Sequence, residues 1–171
     1  MNTIGKRYGI LAVCSALLIA LDQWAKSMAY STLRVNGPLV LIKGVFELLY
    51  SENRGAAFGI LQGKQWFFFL VAAAVVIAVL VFVAKLPSGS RYLPLYIAMI
   101  LLLSGAVGNL IDRAVRGFVV DFFYFGLIDF PIFNVADCYV VCAAGLLILL
   151  IGFFYKEDEL SFLSSKKENE Q

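Results

Sequence analysis

Hydrophobic residues along this chain gather into four long blocks separated by stretches of mixed character. The blocks run from about Tyr8 to Leu21, from about Gln65 to Ala84, from about Tyr92 to Ile111 and from about Cys138 to Tyr155. The first continues through Asp22 to Lys26. Crossing a hydrocarbon core of about 30 Å takes roughly 20 apolar residues in a helix. In lipid, every backbone polar group must be satisfied within the segment, and a helix does this. Spans are therefore predicted at residues 8–26, 65–84, 92–111 and 138–155.

The connections differ in kind. The loop from Lys85 to Arg91 is short. Residues 32–64 carry a β-branched and aromatic run from Leu39 to Tyr50, then turn chemistry at Asn53 and Gly55. In the second outer connection, 114–136, residues 117–133 read as short strands broken by Gly126 and Pro131. Together these connections predict a small β-rich layer on one membrane surface. Phe46, Tyr50, Phe58, Trp66, Phe122 and Phe130 would supply an interfacial aromatic belt. The expected fold is an all-α membrane protein: four transmembrane helices with a small extracytoplasmic β-rich layer, in one domain over residues 1–171. The polar tail 156–171 is expected to form a frayed helix and then disorder.

The N-terminal block follows Lys6 and Arg7, as in a secretory signal, but it ends in Asp22, Gln23, Trp24 and Lys26 without a small-x-small cleavage pattern. It is read as a retained helix. Four spans put both termini on one side. The basic residues divide almost evenly between the two sides. The cytoplasmic assignment of the termini rests on the early Lys6-Arg7 pair and the short Lys85–Arg91 loop.

Composition narrows the chemistry. The chain is 61% hydrophobic and only 15% charged, whereas soluble domains are about one quarter charged. A net charge of +2 is too small to argue for nucleic acid. There is no histidine, which removes His-based zinc sites, Ser-His triads and Cys-His dyads. Cys14, Cys138 and Cys142 lie in apolar runs and read as small buried hydrophobes. No metal and no cofactor are expected.

The candidate chemistry lies between Ser104 and Asp137, which holds Asp112, Asp121, Asp129 and Asp137, with Asn109, Asn134, Arg113 and Arg116. Ionisable groups beside a membrane are expensive to keep there and mark candidate sites. Asn134 is a good N-cap, with Asp137 in the first turn of the last span. Taken singly, Asp137 reads as a dipole-favoured carboxylate and Asp121 as a solvated loop charge. Taken together, one short strand pair can bring them close. Close carboxylates share a proton, so one can act as base on water while the other donates. Asp22 and Lys26 stand i,i+4 with the acid first, a favourable helix pair, and read alone as a surface-level ion pair. Asn109 and Asp112 share a helix face beside Arg113.

Five motifs then resemble one known family. They are Asp22-Gln-x-x-Lys26, Glu52-Asn-Arg-Gly-Ala-Ala-Phe-Gly59, Gly105-Ala-x-Gly-Asn-Leu-Ile-Asp-Arg113, Gly117-x-Val-Val-Asp-Phe122 and Phe133-Asn-x-Ala-Asp137. In this order they look like the lipoprotein signal peptidases, the bacterial type II signal peptidases. The resemblance implies an aspartic endopeptidase of the bacterial cytoplasmic membrane. It would cut prolipoproteins before a diacylglyceryl-modified cysteine, with its site near the outer face. It implies Asp121 and Asp137 as the catalytic pair. Asn53, Arg54, Gly55, Asn109, Asp112, Arg113, Asn134, Asp22 and Lys26 would line or brace the site. Its implied partners are membrane lipids, the prolipoprotein and cyclic peptide inhibitors of the globomycin type, acting on a monomer. Ser104 departs from the glycine common there and is expected to cause only slight repacking. Two other classes compete: an ion carrier, which would want its carboxylates nearer the midplane, and a structural subunit, in which the carboxylates would be replaceable.

Overall fold

The computed structural model describes residues 4–55 and 64–163. The Ala56–Gly59 half of the second motif, including Phe58, lies outside the described residues. So does the end of the tail beyond Leu163. Among the described residues, four helices are long and apolar enough to cross a membrane. Helix α1 (Ile4–Met28) runs on through a π-type turn, Ala29–Leu33, into the short α2 (Arg34–Asn36). Then come α3 (Gln65–Lys85), α4 (Leu93–Arg116) and α5 (Val135–Leu149), the last extended by a π-type turn to Phe154.

The four are not equivalent. The α3 span has a mean hydropathy of 3.2 and is 17% buried, whereas the α4 span is 44% buried at a mean hydropathy of 1.9. A helix apolar all round presents itself to lipid. Helix α4 has instead a polar, small-residue face and packs against α1, α3 and α5. Gly105 makes the α4–α5 contact close: a Cβ there would lie 2.5 Å from the Ala136 carbonyl oxygen and 2.6 Å from Val140 Cγ2. One at Gly108 would meet the Asp22 carboxylate at 2.7 Å. These glycines are packing devices that also shape the site. Ser104 is buried, and its hydroxyl donates to the Ile100 carbonyl at 2.6 Å within the same helix, so it needs no outside partner.

A three-stranded antiparallel sheet, order β1-β2-β3, lies at one end of the bundle. The first connection supplies β1 (Leu39–Ile42) and β2 (Phe46–Asn53), and the second supplies β3 (Val119–Tyr124). Gly117, at φ +79°, takes the left-handed conformation that ends α4 and turns the chain into β3. The second connection makes one strand and not several. Beyond Tyr124 the chain forms a short 3₁₀ turn at Gly126–Ile128 and a single bridge from Phe123 to Phe133. Ala29 and Leu33 pack under Val120 and Phe122, fixing the sheet to the extension of α1.

Two expectations are corrected at the opposite end and along the wall. The first part of the tail does not fray. It folds as a 3₁₀ helix, Asp158–Leu163, with Phe162 edge-on to Phe82 and Glu159 bound to Arg91. The cysteines are free and lie on helix flanks, Cys142 being exposed, because those flanks face lipid or a cavity.

Candidate active site

Three short elements position the acids. Asp121 pairs with Ser51 across β2 and β3, and Asn53 pairs with Val119. The two-residue strand period puts Asn53 and Asp121 diagonally on one face. Asn53 Nδ2 donates to Asp121 Oδ2 at 2.9 Å, and its side-chain oxygen Oδ1 accepts from the Gly55 backbone amide at 3.0 Å. Asn134 caps α5 as the sequence predicts. Its side-chain oxygen accepts from the Asp137 amide at 3.0 Å, and its own amide donates to Asp137 Oδ2 at 3.0 Å. The same Asn134 reaches across with Nδ2 to Asp121 Oδ1 at 2.5 Å. One asparagine thus holds both aspartates. Asn109 adds the fourth donor, Nδ2 to Asp137 Oδ1 at 2.8 Å.

Asp121 and Asp137 line one cavity of about 560 Å³ with Asn53. Its walls are apolar: Phe130 to Phe133 from the loop, and Val141 with Cys138 and Cys142 from α5. Asp121 is 2% exposed, while Asp137 is half-buried at the opening. Asp121 is therefore not a solvated loop charge. Burial pushes its carboxyl up to about 7, and the neighbouring Asp137 charge adds to the rise against the pull of Asn53 and Asn134.

Behind the pair lies a second polar layer. Asp22 and Lys26 are fully buried, 2.9 Å apart, and not at the surface. The reason is that α1 turns this face toward α4, where Gly108 leaves room. Asp22 Oδ1 accepts the Ala136 amide at 2.8 Å, near the α5 N-terminus. Lys26 Nζ donates to Asn109 Oδ1 at 2.8 Å and lies 3.5 Å from Asp112 Oδ2. Asp112, fully buried, accepts the Val120 amide at 3.0 Å and pairs with Arg116. It pins the start of β3 to α4. Arg113 donates to the Gly55 carbonyl at 3.1 Å and stacks over Phe68 at 4.3 Å.

Arg54 stands apart. Its side chain points outward, pairs with Glu52 at 2.8 Å and covers the Phe118 ring. The strand's alternation sends Asn53 inward and its neighbours out. Sequence reasoning gave no role to Gln23, which donates to the Gly108 carbonyl at 3.0 Å, or to Arg116. The i,i+4 spacing of Asp112 and Arg116 is the signal that would have found the latter. Among the described residues, no group of three or more Cys, Asp or Glu side chains is arranged to hold a metal ion.

Comparison with known proteins places this arrangement. Two solved structures share the fold, both bacterial membrane enzymes determined by the in meso method. One, at 2.3 Å resolution, has a TM-score of 0.74 and 32% identity over 95% of this chain and 94% of its own. The other, at 1.9 Å, has a TM-score of 0.71 and 32% identity over 84% and 92%. The class is thus a multi-pass membrane enzyme. Residues 14–154 match the model of the signal peptidase (SPase) II family. Proteins named lipoprotein signal peptidase are similar along most of the chain. The one from Brevibacillus brevis is 44% identical over 79% of this chain and 89% of its own. The one from Geobacillus thermodenitrificans is 36% identical over 97% and 99%. The chain belongs to the signal peptidase II family and is a peptidase.

Proposed function

We propose that this peptidase removes the signal peptide from diacylglyceryl-modified prolipoproteins, cutting before the lipidated cysteine, with Asp121 and Asp137 activating water. One observation carries the reading: two aspartates from different elements line a single apolar cavity and are tied to the same asparagine. Asp121, the more buried, holds the shared proton. Asp137, at the α5 N-terminus and open to the cavity, takes a proton from water, as the helix dipole favours a carboxylate there. The oxygen so activated attacks the scissile carbonyl carbon, and the Asp121 proton passes to the carbonyl oxygen. The tetrahedral intermediate collapses as the C–N bond breaks. The proton now on Asp137 goes to the leaving amine of the lipidated cysteine, and one proton from the new carboxyl end returns to the pair. The loop from Phe130 to Phe133 and the α5 wall shield the apolar signal segment from water.

The site would sit near the outer face of the bacterial cytoplasmic membrane, with both termini cytoplasmic. Support comes from the early Lys6-Arg7 pair and from a substrate whose lipid-bearing cysteine has to meet water at an interface. Cyclic peptides of the globomycin type would compete for the same cavity on a monomeric enzyme. The test is cleavage of a lipidated precursor by Asp121→Asn and Asp137→Asn. Both should insert and pack normally yet lose about three orders of magnitude in rate. Near-normal cleavage by either variant removes the reading.

A further inference from the structure

Lys26 is a fully buried cation one residue away from the aspartate pair. An ammonium group only donates hydrogen bonds. It lies 2.8 Å from Asn109 Oδ1, so Asn109 must present its oxygen to Lys26. A flipped amide would set its NH₂ against the ammonium. The Asn109 oxygen also accepts from Asn134 Nδ2 at 3.3 Å, which favours the same orientation. With the oxygen committed, the Asn109 NH₂ must face Asp137, where it donates to Oδ1 at 2.8 Å. We infer that Lys26 is a positioning residue: it orients the Asn109 amide toward Asp137, and its buried positive charge favours the charged state of that carboxylate. The inference rests on the aspartate-pair reading of the site.

The charges around the pair agree. Helix α1 contributes Asp22 beside Lys26. Helix α4 contributes Asp112 with Arg116, and Arg113 toward Gly55. Strand β3 brings Asp121, and α5 brings Asp137 with the Cys138 thiol next to it. Strand β2 faces the pair through neutral Asn53, its Arg54 and Glu52 being paired outward. Helix α3 meets Arg113 through Phe68. Four acids thus meet three cations, and one proton shared by the pair leaves the cluster neutral. Without Lys26 the cluster has one positive charge fewer, and the pair takes up a second proton at higher pH.

The experiment is the pH dependence of kcat/KM on a lipidated precursor for Lys26→Met, Lys26→Gln and Lys26→Arg. Lys26→Met should move the acid limb alkaline by about one pH unit, a roughly tenfold loss on the acid side. The deficit should shrink as pH rises. Lys26→Arg, which keeps charge and donor, should return the limb toward its original position. If the Met variant does not accumulate in the membrane, Lys26→Gln is read instead. It is one atom shorter but keeps a donor, drops the charge and must move the limb in the same direction. A loss equal at every pH would overturn the inference, because a scaffold role alone produces that. The two readings fail separately. Cleavage by the Asp→Asn variants removes the aspartate pair itself. Inactive Asp→Asn variants with an unmoved acid limb in the Lys26 variants remove only the role of Lys26.

Discussion

The two polar ends of the bundle hold charge in opposite ways. Away from the sheet, arginines meet the final carbonyls of helices. Arg7 donates to the Val83 carbonyl at 3.4 Å and to that of Leu86, at the end of α3, and to Ser88 Oγ at 2.8 Å. Arg91 donates to the Phe154 carbonyl at 2.8 Å while holding Glu159 and lying over the Phe154 ring. Cations at helix C-termini are where the dipole favours them. At the sheet end the arrangement is reversed: carboxylates gather at the N-terminus of α5, and asparagine amides stand between them. The first end fastens helices together. The second carries one acid more than its cations balance, which is the surplus the proposed proton-sharing pair needs.

The strongest way to break this contrast is at the acids. Asp121→Asn and Asp137→Asn should lower cleavage by about three orders of magnitude with folding intact, whereas changes at the arginine end should not touch the chemistry. Next in size is Asn134→Ala, which removes the α5 cap and the donor common to both acids. It should lower cleavage by about 10²-fold and stability by about 1 kcal/mol, read from initial rates and thermal unfolding. Gly105→Leu should force α4 and α5 apart, because a backbone carbonyl occupies the space at 2.5 Å. It should destabilise by about 1–3 kcal/mol, with a fall in the unfolding midpoint. The pH dependence is signed. Asp121 binds its proton more tightly in the fold than in the unfolded chain, its value rising from 3.8 to about 7. Its contribution to stability is therefore full below pH 3.8 and is lost as pH rises through about 7. Cleavage should decline on the alkaline side over the same range, as a pH–rate profile would show. The smallest effect belongs to Arg91→Met. Its ion pair with Glu159 is largely exposed, and such pairs contribute about 0–1 kcal/mol. Cleavage should be unchanged.

Much of this contrast was legible in the chain. Spans show in sequence because lipid demands long, unbroken apolar runs. The α5 cap shows because Asn134 and Asp137 have the spacing of a reciprocal cap. The β layer was visible in the Leu39–Tyr50 run, but its register was not. No local signal sets Ser51 opposite Asp121, because that pairing is decided by where α4 ends at Gly117. The burial of Asp22 and Lys26 was hidden for a related reason. An i,i+4 ion pair reads the same on a solvated face as on one turned toward Gly108. Arg54 sits within a matching motif, yet strand alternation turns it away.

The continuation of α1 past Met28 into the turn beneath the sheet makes that helix a ruler. Arg7 and Lys26 are 19 residues apart, which a helical rise of about 1.5 Å converts to roughly 28 Å. A hydrocarbon core is about that thick. The first helix therefore fixes how far the sheet and its aspartates stand from the Arg7 end of the bundle. Because Ala29 and Leu33 are wedged under Val120 and Phe122, the sheet cannot rise or sink without taking that helix along. Inserting a residue into α1 would not only rotate a face; it would shift Lys26 and the sheet relative to Arg7.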